Sequence, residues 1–230
     1  RVQLKMDIRS KTLLVTCYVV PLLFFAIMGG IFTSLMPEAK HTLIQSMTVM
    51  GVSMGALIGV PPSMIEVYST DIKKMYIANG IPLCFGVIAL VVSAFIHLMI
   101  MSIIIFARAP IVFHATIPSN IPLYFITLAL FVIVSLTISC VLGLAVKNQA
   151  KLTMYSQVVF LPSIMLSGIM FSAELLPNFL ESMGKLFPAT WGYTLLIQKN
   201  IEVSTFIPLV FILIISVFVS VQLLKKIRSE

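Results

Sequence analysis

Six stretches of the chain run apolar for 19 to 26 residues each, at 13–35, 43–65, 83–106, 121–146, 152–172 and 206–224, and none contains Asp, Glu, Lys or Arg. A helix rises 1.5 Å per residue, so about 20 apolar residues cross a hydrocarbon core of roughly 30 Å. The pattern therefore predicts an all-α, polytopic membrane protein with six transmembrane helices. The longest polar connection, 173–205, is shorter than the roughly 50 residues an independent domain needs. One transmembrane domain over residues 1–230 is expected, with no separate soluble catalytic domain.

After the fifth run the periodicity changes. Leu176, Leu180, Met183 and Phe187 recur at helical spacing, with Glu174, Glu181 and Lys185 between them. Such a segment suits a membrane interface rather than a bilayer centre. Pro177 and Pro188 bracket it as helix start and stop, and the only tryptophan, Trp191, follows at what would be headgroup level.

Between the second and third runs, Pro61-Pro62 should break the helix. The segment IEVYSTDIKKMYIANGIP then offers Thr70 as N-cap, Asp71 in the first turn, Asn79-Gly80 as stop and Pro82 beyond. This predicts a free-standing helix of about two turns. Within the second run, Gly51, Gly55 and Gly59 stand four apart and line one face, which lets another helix approach closely, either within the subunit or across a dimer. The first run carries Pro21 and Gly29-Gly30, so a kink near Pro21 is expected. The third and fourth runs flank ARAPIVFHATIPSN, whose two prolines disfavour a helix throughout.

Composition agrees with the pattern: 60% hydrophobic, 10% charged and a mean hydropathy of +1.11 exclude an ordinary soluble domain. Charge then sets orientation. With six crossings and an inner N-terminus, the inner side holds eleven Lys and Arg against four acids, and the outer side four against four. The whole +7 excess lies inside, which places both termini in the cytoplasm and argues against nucleic acid as a partner. Cys17, Cys84 and Cys140 fall in or at the ends of apolar runs, without metal or redox spacing, and read as packing residues. The first run is too long and too evenly followed by others for a cleaved signal peptide. Residues 1–12 alternate Val2, Leu4, Met6 and Ile8 at a period of two, a strand-like pattern, while four basic residues suit an anionic membrane surface.

The run LPSIMLSGIMFSAELLPNFLESMGKLFPATW, from Leu161 to Trp191, resembles the signature near the C-terminus of the membrane (permease) subunit of type-2 ABC exporters. The resemblance extends over nearly the whole chain in segment order. It implies an interfacial elbow helix at residues 1–12, a cytoplasmic coupling helix between the second and third spans, and an outer-face helical hairpin before the last span. The coupling segment of that family docks on the ATPase subunit. Here Glu66 matches its opening acid and Ile81-Pro82 its close, while Val67-Tyr68 stands where a basic residue is common and Ser69 where Gly is usual. Candidate ATPase contacts are Glu66, Thr70, Asp71, Lys73, Lys74, Met75 and Tyr76; Lys73 and Lys74 equally suit anchors to the inner leaflet.

The chemistry that is missing fits this resemblance. The spans hold no intramembrane acid to relay an ion, and the chain has no phosphate-binding loop and no hydrolase or metalloprotease motif. A transporter without its own engine must draw energy from a partner. The resemblance implies a cytoplasmic ABC ATPase subunit that holds ATP and Mg, a second permease copy or sister subunit, and no cofactor in this chain. The implied substrate is amphipathic or lipid-like: a drug, peptide antibiotic, lipid or glycan precursor moved outward across the cell membrane. Two other classes share the hydropathy. One is a non-transporting immunity or sensor subunit; the other is an intramembrane enzyme built on His97, the one ionisable side chain at mid-span.

Overall fold

The computed structural model describes residues 15–68, 71–170, 176–198 and 202–229, with backbone alone at 71–73, 77 and 229. The proposed elbow at 1–12 and the N-cap Thr70 lie outside these residues. Among them the regular secondary structure is all helical, in the order α1 Val15–Leu35, α2 Leu43–Tyr68, α3 Asp71–Ala78, α4 Leu83–Phe113, α5 Ile121–Ala145, α6 Gln149–Met165, α7 Asn178–Gly184, α8 Pro188–Ile197 and α9 Val203–Ser229. Five of these, α1, α2, α4, α5 and α9, are long and apolar enough to cross a membrane.

α2 is the hub. Of its most apolar stretch 94% is buried, against 22% for α1 and 17% for α9, because α1, α4, α5, α6 and α8 all pack on it. Its hydroxyls are used between helices, as a bilayer interior demands: Thr48 Oγ1 shares a 2.9 Å hydrogen bond with Tyr124 Oη of α5, and Ser46 Oγ donates to Tyr193 Oη of α8 at 3.3 Å. α5 in turn packs along α9.

Proline acts differently from the sequence expectation. Pro61-Pro62 does not end the second helix, which resumes at Pro61 and runs to Tyr68. A π-helical turn, Gly55–Gly59, stands immediately before it. Pro21 is treated alike, with a π turn at Val15–Val19 just ahead. Proline removes an N–H and its ring collides with the carbonyl four residues back; a locally wider turn relieves both problems without stopping the helix. The two π turns pack against each other. Likewise α4 continues through Pro110 to Phe113, so only 114–120 forms the loop that was expected from Ala107 onward. Phe113 anchors this extension, since its ring lies edge-on to Phe25 at 5.3 Å and fills the notch at Gly29. The helix then stops at His114, whose φ is 53°. The loop docks on the 3-10 turn Pro37–His41 that joins α1 to α2, where the Thr116 N–H donates to the Lys40 carbonyl at 3.0 Å.

The fifth apolar run, expected as a helix over 152–172, forms the 17-residue α6 and then a turn in which Gly168 takes a φ of 83°. Even so, this part of the chain travels the bundle end to end. α6 contacts the Pro61–Tyr68 end of α2, while Ile169 and Met170 lie beside Leu43 at the other. Pro188, expected as a helix stop, starts α8, while α7 has already ended at Gly184. Cys17 and Cys140 are buried, as packing residues should be, but Cys84 is exposed on the bundle surface; all three are free thiols.

Candidate coupling site

At the α3 end of the bundle, the α2–α3–α4 corner is built by two tyrosines on one glycine. Tyr68 closes α2 and donates its hydroxyl to the Leu83 carbonyl at 2.5 Å, tying the end of α2 to the start of α4 across the α3 excursion. Gly86, in the first turn of α4, is the seat of this joint. A Cβ there would stand 2.8 Å from Tyr68 Oη and 2.9 Å from Tyr76 Cε2, so both rings approach closely only because position 86 has no side chain. α3 is thus clamped to α4 through Tyr76.

The far end of α3 is finished by local chemistry. Gly80 adopts a φ of +67°, and the Ile81 N–H donates back to the Tyr76 carbonyl at 2.8 Å, the six-to-one bond of a Schellman stop. Asn79 Nδ2 adds a second bond to the Met75 carbonyl at 2.8 Å. Pro82, extended, then leads directly into α4. The element is short, doubly closed and fastened at one point.

Among the expected contact residues, Glu66, Lys74 and Met75 lie on the exposed side, with Met75 62% exposed. Tyr76 is half-buried and packs inward, so among the described side chains of α3 Met75 is the large apolar one that faces outward. The side chains of Asp71 and Lys73 lie outside the described residues. Tyr68 and Gly86 were not singled out from the sequence. A glycine in the first turn of a long apolar helix, following an aromatic-rich corner, was the available signal.

The glycine row of α2 faces inward. A Cβ at Gly51 would meet Met101 Cε at 3.0 Å, one at Gly55 would collide with Leu98, and one at Gly59 would come within 2.9 Å of Thr16 Oγ1. These contacts lie on α1 and α4 of the same chain. His97, buried on α4, shares a 2.8 Å hydrogen bond through Nδ1 with Tyr18 Oη, and the two rings meet edge to face. This bond joins α4 to the π turn of α1. Tyr18→Phe is expected to lower stability by about 1 kcal/mol, as an interhelical hydrogen bond in a membrane warrants, without abolishing function; loss of function at unchanged thermal stability would give the pair a chemical role.

At the opposite end, α7 and α8 follow one another across a short turn at residues 185–187. Gly184 rests on the end of α6, where a Cβ would stand 2.5 Å from the Leu166 carbonyl oxygen. Thr190 Oγ1 donates to the Gly184 carbonyl at 2.6 Å, and Trp191 Nε1 to the Lys185 carbonyl at 2.7 Å. Leu176, Leu180, Phe187 and Trp191 are half-buried and Met183 is exposed. The most exposed apolar side chains there are Phe179 and Leu186, at 72% and 73%. Their seven-residue spacing marked a second apolar face that the first stripe obscured. Among the described residues no group of three His, Cys, Asp or Glu is placed to hold a metal.

The model of the ABC-2 type transporter family matches residues 2–201. The chain belongs to that family. It is therefore a multi-pass membrane protein and a permease component of an ABC transporter. No curated protein and no solved structure matches it.

Proposed function

We propose that this ABC-2 permease is the membrane half of an ATP-driven exporter, and that α3 receives the stroke of a cytoplasmic ABC ATPase holding ATP and Mg. The observation that carries the reading is the joint at Gly86: a two-turn helix, stopped at both local bonds and clamped by Tyr68 and Tyr76, transmits a push into α4 instead of absorbing it. Met75 supplies the apolar contact, with Glu66, Asp71, Lys73 and Lys74 setting register around it.

In this reading α6 and its following turn make the sixth crossing, so that both termini and α3 face the cytoplasm and the α7–α8 segment faces outward. The positive-inside bias supports that orientation in the cell membrane. A second copy or a sister subunit completes the pathway. Uncharged spans suit an amphipathic or lipid-like substrate better than a small ion.

Orientation is tested directly. Cysteine introduced at Asn178 or Glu181 should react with a membrane-impermeant maleimide from outside the cell. Labelling only after the cytoplasmic side is opened would overturn the topology, and with it the coupling role of α3. ATPase dependence is tested by co-purification: a nucleotide-hydrolysing partner should accompany the chain and hydrolyse ATP faster with it than without. A partner whose turnover ignores the chain would favour the immunity or sensor class.

A further inference from the structure

Beside the coupling joint lies a groove of about 480 Å³, walled on one side by residues 81–84 and on the other by Val221, Leu224, Lys225 and Arg228 of the last turns of α9. Its walls are mostly apolar. Ile81 is 39% exposed and Val221 44%, side chains that would face hydrocarbon rather than water. Lys225 and Arg228 are exposed at its rim, no acid lines it, and among the described residues neither cation pairs with a carboxylate. The start of α4, whose helix dipole is positive, adds to the same field.

We propose that this groove binds one anionic phospholipid, its headgroup between Lys225 and Arg228 and an acyl chain along Ile81, Val221 and Leu224. Apolar walls under a cationic rim at the cytoplasmic boundary match such a lipid on both counts, whereas a free phosphate or nucleotide would leave the walls bare. A zwitterionic lipid fits the walls equally but gains nothing net from two cations. The groove begins at Gly80, in the turn that stops α3, and includes Pro82, its link to α4. An occupied groove braces this link. The lipid thereby becomes a component of the coupling joint, an inference that rests on the cytoplasmic placement of α3.

The test uses the purified full-length chain in nanodiscs of phosphatidylcholine mixed with phosphatidylglycerol, with retained lipids counted by native mass spectrometry. Phosphatidylglycerol should be retained in preference to phosphatidylcholine, one per chain. The Lys225→Gln/Arg228→Gln variant should bind it about tenfold more weakly or worse, as loss of two cations near a lipid surface implies. Lys225→Arg/Arg228→Lys should restore it, and Lys151→Gln, an exposed cation outside the groove, should leave it unchanged. Equal retention of the two lipids, or equal weakening by Lys151→Gln, would overturn the site. Binding is read on the chain alone, so a failed ATPase assay and a failed lipid assay are separate results.

Discussion

Replacing Gly86 with Val is expected to uncouple the transporter: the partner ATPase still binds and hydrolyses ATP, while transport falls about tenfold or more, the loss that about 1.4 kcal/mol against the working geometry produces. A Cβ at position 86 meets Tyr68 Oη at 2.8 Å, Tyr76 Cε2 at 2.9 Å and Val67 Cγ1 at 3.3 Å, and valine adds two methyl groups to that crowding. Tyr68 cannot withdraw without breaking its bond to the Leu83 carbonyl, which would leave a buried donor unpaired. The strain, about 1–3 kcal/mol for an overpacked site, therefore falls on Tyr76, and α3 lifts from α4. Met75→Ala should act at a different step, weakening capture of the ATPase with the joint intact. Transport and ATP hydrolysis measured together in vesicles separate the two. A Gly86→Val protein that transports at the original rate, with α3 still protected from proteolysis, would remove this joint from the mechanism.

Gly55→Leu is expected to destabilise the bundle severely. Gly55 opens the π turn of α2, and even a bare Cβ there collides with the Leu98 side chain and stands 3.8 Å from Cys17 Sγ. Leucine has nowhere to go on a helix enclosed by its neighbours, and a cost of about 3 kcal/mol, the upper range for overpacking, is the minimum. Gly30→Ala is the control: its Cβ would find only Phe113 Cε1, at 3.9 Å, and alanine favours a helix by up to about 1 kcal/mol. Thermal unfolding in detergent, followed by the fluorescence of Trp191, should show a lower midpoint or no folded protein for Gly55→Leu and no loss for Gly30→Ala. A Gly55→Leu chain as stable as the original would mean that the α1–α2–α4 packing is not the core of the fold.

Residue pattern alone determined a good deal: helical class, the approximate place of every long helix, the stop at Asn79-Gly80, the family, and the existence of a short element between the second and third spans. These follow from local rules. Apolar length sets a span, and a left-handed glycine ends a helix whatever surrounds it. The prolines show where local rules end. Pro61 and Pro110 read as breaks, yet the helices persist because π turns and neighbouring side chains, such as Phe113 against Phe25, compensate from outside the local sequence.

Only the tertiary structure decided which side of each element faces what. The glycine row of α2 suited its own chain first and a dimer second, and α1 and α4 are the helices seated on it. Tyr76 stood beside Met75 among the candidate ATPase contacts; the fold turned it onto Gly86, ten residues away, and left Met75 outside. The exposed Cys84 and the groove it shares with Lys225 join residues more than a hundred positions apart. Periodicity can name a helix face, but its partner is chosen by side-chain packing between distant segments, and that information is not held by any one stretch of the chain.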